Sequence, residues 1–232
     1  MPDTNLETLS RVELLADLGA AERRSLEQSC RWRRYSAHEQ IIDRQSDTRD
    51  VFFVVEGQVR VVNYSLSGRE ITLDDVSVGG IFGELAAIDG QPRSASVMAL
   101  KPSLIAAIPP DLFLSILERH PKVAIKVMKH LTAVVRNSTE RIMDLSTLAA
   151  NNRVQADLLR QARTNMKGDN VAEIRPIPVH GDIASRVSTT RETVARVLND
   201  LARKGILERR KDSLVVQDVE RLRHLVEDVR GD

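Results

Sequence analysis

The chain has 232 residues, 42% of them apolar and 29% charged, with 34 Lys+Arg against 33 Asp+Glu and a net charge of +1. That describes a globular chain with room for one large domain or two small ones, and the total charge gives no hint of a nucleic-acid partner. The single cysteine, Cys30, excludes a disulfide framework or thiolate cluster within one subunit, no apolar run approaches the ~18 residues of a membrane span, and MPDTNLETLSRVELL lacks a signal-peptide pattern, so a cytoplasmic location is expected.

Residues 6–30 carry Leu6, Leu9, Val12, Leu14, Leu15, Leu18 and Leu26 at roughly helical spacing, broken near Gly19, and predict helix. From about residue 35 short β-branched and aromatic runs appear, Ile41-Ile42 and Val51–Val55, separated by polar clusters at Arg44–Asp50 and Glu56-Gly57. Val59–Tyr64 and Glu70–Leu73 flank Ser65-Leu66-Ser67-Gly68 and predict a hairpin closed by Gly68. Short strands with regular turn signals continue past Gly79-Gly80 to about Ile108, the texture of an all-β barrel or jelly roll.

Helical spacing returns at Pro110 with Phe113, Ile116 and Leu117, and a long helix is expected from about Lys122 to Ala149. Within it Met128, Leu131, Val135, Ser138, Ile142, Leu145 and Ala149 alternate spacings of three and four, a coiled-coil seam with one polar interruption at Ser138. The seam suits either the barrel it follows or a second copy of the helix, and its length favours dimerisation. Val154–Ala162 is helical, Lys167–Asn170 is a loop, and Pro176 and Pro178 break the chain before a compact helical segment that starts at His180.

Two stretches carry chemistry. In the first, a strand ends in Gly83-Glu84-Leu85-Ala86, a short helical turn whose successive backbone N–H groups form an anion-binding concavity. Glycine permits close approach of a ligand, Glu84 can accept from sugar hydroxyls, Arg93 offers a guanidinium fork suited to phosphate, and Ser94 adds a hydroxyl. An ordinary surface salt bridge between Glu84 and Arg93 accounts for the same two charges. The whole run, FGELAAIDGQPRSASV, resembles the phosphate-binding cassette of cyclic-nucleotide-binding domains, and VFFVVEGQVRV and SGREITL resemble that family's barrel. The resemblance implies a cyclic nucleotide cradled by Gly83, Glu84, Leu85 and Ala86, with Glu84 on the ribose 2′-hydroxyl and Arg93 and Ser94 on the cyclic phosphate. It also implies that the long helix closes the pocket. In bacterial cyclic AMP receptor proteins a Thr-Ser pair on that helix meets the base, and Ser138 and Thr139 take those positions here. Ser138 is equally a register-setting polar residue of the seam. Those receptors also carry an arginine four residues before the pair, able to meet the cassette glutamate, where this chain has Val134.

In the second stretch, a helix over roughly Gly181–Arg186 is followed by a polar turn, Thr190 as N-cap, and a helix that runs to Lys204 and stops at Gly205. Val194, Val197, Leu198 and Leu201 form its apolar stripe, while Glu192, Arg196, Asn199 and Arg203 fall opposite and Arg191 sits at the flank. Arginine pairs with guanine edges and glutamate accepts from cytosine, although a solvated charged face explains the same pattern. The run TTRETVARVLNDLARKGIL, followed by a hairpin at Glu208–Val216, resembles the winged helix-turn-helix of the cyclic AMP receptor and fumarate–nitrate regulator (CRP/FNR) family. This implies a TGTGA-like half-site read by Arg191, Glu192 and Arg196, with Ser188, Thr189, Thr190 and Thr193 on phosphates. Arg209, Arg210 and Lys211 form a basic wing suited to the DNA backbone. His180-Gly181 departs from the basic or amide residues that the family's best-known members place there.

The expectation is an α+β chain of three parts: a β-barrel (jelly-roll) cyclic-nucleotide-binding domain over 1–121, a dimerisation helix and hinge over 122–149, and a winged helix-turn-helix DNA-binding domain over 150–232. The expected function is a homodimeric transcription regulator with cyclic AMP as effector, cyclic GMP remaining open, and with double-stranded DNA and RNA polymerase as partners. A regulator of the same fold answering a gas, redox or other signal, and a cyclic-nucleotide-binding module without DNA, are the alternatives. No membrane partner is expected. Neither nucleophile elbow, Walker motif nor HExxH is present, and the five histidines lack metal-ligand spacing, so neither an enzyme nor a metal site is expected. Glu118, His120 and His130 read as surface residues of helices, and the tail Val219–Val229 as an amphipathic helix. Charge is unevenly shared: residues 1–145 hold 18 Lys+Arg and 20 Asp+Glu, and residues 146–232 hold 16 and 13.

Overall fold

The computed structural model describes residues 9–230 and divides into two compact units at Ala133/Val134. In the first, two single-turn 3-10 helices, Leu9–Arg11 and Glu13–Leu15, precede α1 (Ala20–Ser29). The continuous helix expected over 6–30 is therefore corrected, and Leu6 lies outside the described residues. Leu9, Val12, Leu15 and Leu18 recur every third residue, the period of a 3-10 turn, and all four are buried. Gly19 is the N-cap of α1.

Eight strands follow: β1 (Arg31–Tyr35), β2 (Gln40–Ile42), β3 (Val51–Glu56), β4 (Gln58–Tyr64), β5 (Glu70–Ser77), β6 (Ile81–Phe82), β7 (Ser96–Ala99) and β8 (Ser103–Ile108). They form two antiparallel four-stranded sheets, ordered β1-β8-β3-β6 and β2-β7-β4-β5. The hairpin of β4 and β5 pairs Val59 with Val76 and Tyr64 with Glu70 around Gly68, whose φ is 76°. The runs Val51–Val55 of β3 and Leu104–Ile108 of β8 are continuously apolar because both faces of these strands are covered. Val51, Phe53, Val55, Leu104, Ala106 and Ile108 pack with the helices, while Phe52, Val54, Ile105 and Ala107 pack between the sheets against Tyr35, Val59 and Val97.

The short α2 (Glu84–Asp89) lies between β6 and β7, and α3 (Pro110–Arg119) leads into the long α4 (Pro121–Thr147). Val123 and Val127 of α4 are buried on the barrel, and Leu131 packs against the same core. Two members of the expected seam behave differently from the rest. Leu131 faces the barrel, and Ala149 lies beyond the end of α4, where extended backbone makes it the N-cap of the next helix. Cys30 caps α1, half-buried, with its thiol pushed up to about 12 by burial. Trp32 packs on the same core and donates its indole N–H to Glu27 O at 3.0 Å.

The second unit contains α5 (Ala150–Thr164), β9 (Ala172–Ile174), α6 (His180–Arg186), α7 (Arg191–Arg203), β10 (Leu207–Arg209), β11 (Leu214–Val216) and α8 (Val219–Arg230). Val154, Leu158, Ile183, Val194, Val197, Leu201, Leu222 and Val226 share one core. The wing hairpin gains a third strand that sequence reasoning did not anticipate, β9, paired with β11.

Candidate ligand site and nucleic-acid interface

The barrel site is built on a backbone reversal. Gly83, at φ 80° and ψ 4°, joins β6 to α2 in the left-handed region. A Cβ there would stand 2.8 Å from Arg93 Nη1, 3.0 Å from the Asp50 carbonyl and 3.1 Å from the Phe52 ring. Glycine is thus required both by conformation and by the close approach of Arg93. Gly83→Ala is expected to lower stability by about 1–2 kcal/mol from backbone strain alone, and to weaken nucleotide binding by displacing the guanidinium. Thermal unfolding and calorimetric titration check the two effects separately.

Arg93 is 4% exposed. Nη1 donates to Gly83 O and Nη2 to Asp50 O, each at 2.8 Å, and the guanidinium lies 5.5 Å from the centroid of the Phe52 ring, itself stacked on Phe82. Burial lowers its proton affinity, while the Asp50 and Glu84 carboxylates oppose that shift. The Nε/Nη2 edge, the one that can grip a phosphate bidentately, faces only a neutral hydroxyl among its side-chain contacts. Thr48 Oγ1 stands 3.4 Å from both nitrogens, a long and weak pair of bonds that a phosphate can displace.

Glu84 is 6% exposed and stands 3.5 Å from His130 Nε2 of α4. The expectation that His120 and His130 are plain surface residues is corrected. His130 is half-buried against the cassette glutamate, and His120 Nε2 lies 2.6 Å from Glu22 Oε1. Glu118 is exposed, as expected. Ala86 is buried, Leu85 is partly exposed and Ser94 is exposed. The Ser94 carbonyl accepts from Asn63 Nδ2 at 3.3 Å, and Asn63 Oδ1 is buried without a partner. Thr48, Asp50 and His130 escaped sequence reasoning. His130 is four residues, about one α-helical turn, before Val134, so the same helical stripe points to it. Ser138 and Thr139 belong to the second unit, where both are exposed, and the Thr139 hydroxyl donates to Val135 O at 3.0 Å.

In the second unit α6, a turn and α7 form the helix-turn-helix. Ser188, at φ 52°, makes the turn, and Thr190 caps α7 by accepting from Thr193 N at 3.2 Å. Thr189 N donates to Ala184 O at 3.0 Å. Arg153, unnoticed in the sequence, fixes this turn: its guanidinium donates to the carbonyls of Leu148, Val187 and Ser188 at 2.8–3.1 Å. Arg191, Glu192 and Arg196 are exposed at the start of α7. The Glu192 carboxyl is held below its usual range by its own backbone N–H and the Thr190 hydroxyl, and Arg196 donates to Asn151 Oδ1 at 3.2 Å. A Cβ on Gly181 would stand 3.1 Å from Arg191 Nε, so glycine gives that side chain room to lie on α6. Arg209, with His180, Gly181 and Arg191, lines one cleft. Arg210 and Lys211 are exposed at the hairpin tip, Arg210 paired with Glu208 at 3.1 Å.

Comparison with known proteins agrees with both halves. Residues 32–120 match the family described as cyclic nucleotide-binding domain, and residues 152–225 match the Crp-like helix-turn-helix domain. The Cyclic AMP receptor protein of Thermus thermophilus is 32% identical over 157 residues, covering 68% of this chain and 70% of that protein. The chain belongs to the CRP/FNR family.

This CRP/FNR regulator is also 25% identical over 193 residues to the cAMP-activated global transcriptional regulator CRP of Pasteurella multocida, covering 81% of this chain and 90% of that one. A CooA mutant from Carboxydothermus hydrogenoformans matches its fold with a TM-score of 0.80 at 25% identity, covering 93% and 95% of the two chains. Its domains are therefore a cyclic-nucleotide-binding β domain and a DNA-binding helix-turn-helix domain. Among the described residues no helix is long and apolar enough to cross a membrane, and no group of three or more His, Cys, Asp or Glu could hold a metal.

Proposed function

We propose that this cytoplasmic regulator binds cyclic AMP in its barrel and, as a homodimer, reads a palindromic TGTGA-like site, with RNA polymerase as the downstream partner. The observation that carries the ligand assignment is the buried Arg93 fork beside the Gly83 turn: the side chain that meets its Nε/Nη2 edge is the Thr48 hydroxyl at 3.4 Å, while Nη2 also donates to Asp50 O at 2.8 Å. Arg93 and Ser94 hold the cyclic phosphate, the turn from Gly83 to Ala86 cradles it, and Glu84 accepts from the ribose 2′-hydroxyl. Ser138 and Thr139 of the paired long helices cap the base. The bound effector then favours one arrangement of the α4 helices over another. Calorimetry tests the assignment: one cyclic AMP per chain, with weaker cyclic GMP, is the expected result. Heat with neither nucleotide removes it and leaves a regulator of this fold answering another signal.

The dimer is supported by the seam. Met128 (57%), Val135 (64%), Ile142 (62%) and Leu145 (47%) are all exposed on α4, which is costly for large apolar side chains unless a second copy covers them. The double variant Val135→Asp/Ile142→Asp is expected to sediment as a monomer. It should bind the palindrome ~10²-fold or more weakly, because the two half-sites are then no longer engaged together.

On the DNA, Arg191, Glu192 and Arg196 meet base edges. Ser188, Thr189, Thr190, Thr193 and the wing residues Arg209, Arg210 and Lys211 meet phosphates. The two recognition helices then lie about one DNA turn apart, ~34 Å.

A further inference from the structure

The cassette glutamate has a titrating partner. Glu84 is almost wholly buried, and a buried carboxylate needs a cation or hydrogen-bond donors to offset its lost hydration. From α4, His130 brings Nε2 to within 3.5 Å of Glu84 Oε1. The two residues lie on different elements, α2 and α4, and both belong to the barrel unit.

We propose that His130 is the cationic positioning residue of Glu84, so that the grip on the effector's ribose tightens when His130 is protonated and loosens when it is neutral. This rests on the reading of Glu84 as the ribose-binding group. Imidazolium at this position gives the buried carboxylate a cationic partner and orients it towards the site. An arginine would do so at every pH, whereas histidine gives up its proton in the physiological range.

The charged groups facing His130 are Glu84 from α2 and Asp74 from β5. The bond to Glu84 raises its proton affinity above the ordinary value of 6.5, burial opposes this, and Asp74 adds to the rise. Arg93 acts on the pair through Glu84. The sign follows. With its folded pKa raised, His130 is charged at and below pH 6.5, and the contact is lost as pH rises through the raised value. Effector affinity is therefore highest on the acid side and falls as pH rises through that raised value. By linkage, nucleotide binding takes up protons in that window.

Two measurements decide it. In the free protein, the His130 ring proton, assigned by its loss in His130→Gln, should titrate above 6.5 and move down in Glu84→Gln. An unchanged titration in Glu84→Gln overturns the pairing. In cyclic AMP calorimetry across pH 6.0 to 8.5, in two buffers of different ionisation enthalpy, wild type should lose ~3–10-fold in affinity and take up protons on binding. His130→Arg should bind tightly with a flat profile, and His130→Gln weakly with a flat profile. The wild-type slope persisting in both variants overturns the proposal. Absence of binding to cyclic AMP or cyclic GMP fails the ligand reading instead, and the free-protein titration still decides the pair.

Discussion

Replacing Arg93 by leucine is expected to lower cyclic AMP affinity by ~10²-fold or more. Hydrogen bonds to a charged group contribute about 1.5–3 kcal/mol each, and a bidentate phosphate contact uses two, against 1.4 kcal/mol per factor of ten. The same substitution strips the Gly83 and Asp50 carbonyls of their 2.8 Å donors, so the fold loses stability as well. Arg93→Lys separates these effects. It keeps the positive charge but not the planar fork, and should fold yet bind cyclic AMP at least about tenfold more weakly than wild type. Calorimetry, with thermal unfolding run alongside, reads both. An Arg93→Leu protein that folds and binds cyclic AMP at wild-type affinity would show that Arg93 serves the barrel and not the ligand.

Arg191→Ala is expected to weaken binding to the TGTGA palindrome by about 1–3 kcal/mol per half-site contact, while binding to a scrambled duplex at the same salt changes little. The difference between the two duplexes isolates base reading from phosphate attraction. Gly181→Ala offers a graded version of the same test. Its methyl would crowd the Arg191 guanidinium at 3.1 Å and should shift the preference at the guanine position without removing the charge. Anisotropy titrations on both duplexes measure each variant. Equal losses on specific and scrambled DNA would reassign Arg191 to a backbone contact.

Much of this architecture is legible in local pattern. The apolar runs of β3 and β8 mark strands covered on both faces, and the Thr190 cap and Gly205 bracket α7 nearly to the residue. What escaped depends on contacts distant in sequence. Thr48 and Asp50 reach Arg93 across more than forty residues, and His130 meets Glu84 only once α4 is laid on the barrel. The strand β9 is three residues long, and its pairing with β11 is not foreshadowed by periodicity. The N-terminal leucines misled for another reason, since a spacing of three serves a 3-10 turn as well as an α-helical face. The near-neutral total charge also concealed the reader: its wing and recognition-helix arginines count through where they sit.

The central claim, that effector in the barrel licenses DNA reading by α7, is tested most directly by a mobility shift on a TGTGA palindrome at fixed protein concentration and salt. Parallel samples carry no ligand, cyclic AMP or cyclic GMP. The account predicts a retarded complex that strengthens strongly with cyclic AMP and weakly or not at all with cyclic GMP. Equal retardation with and without nucleotide would contradict it.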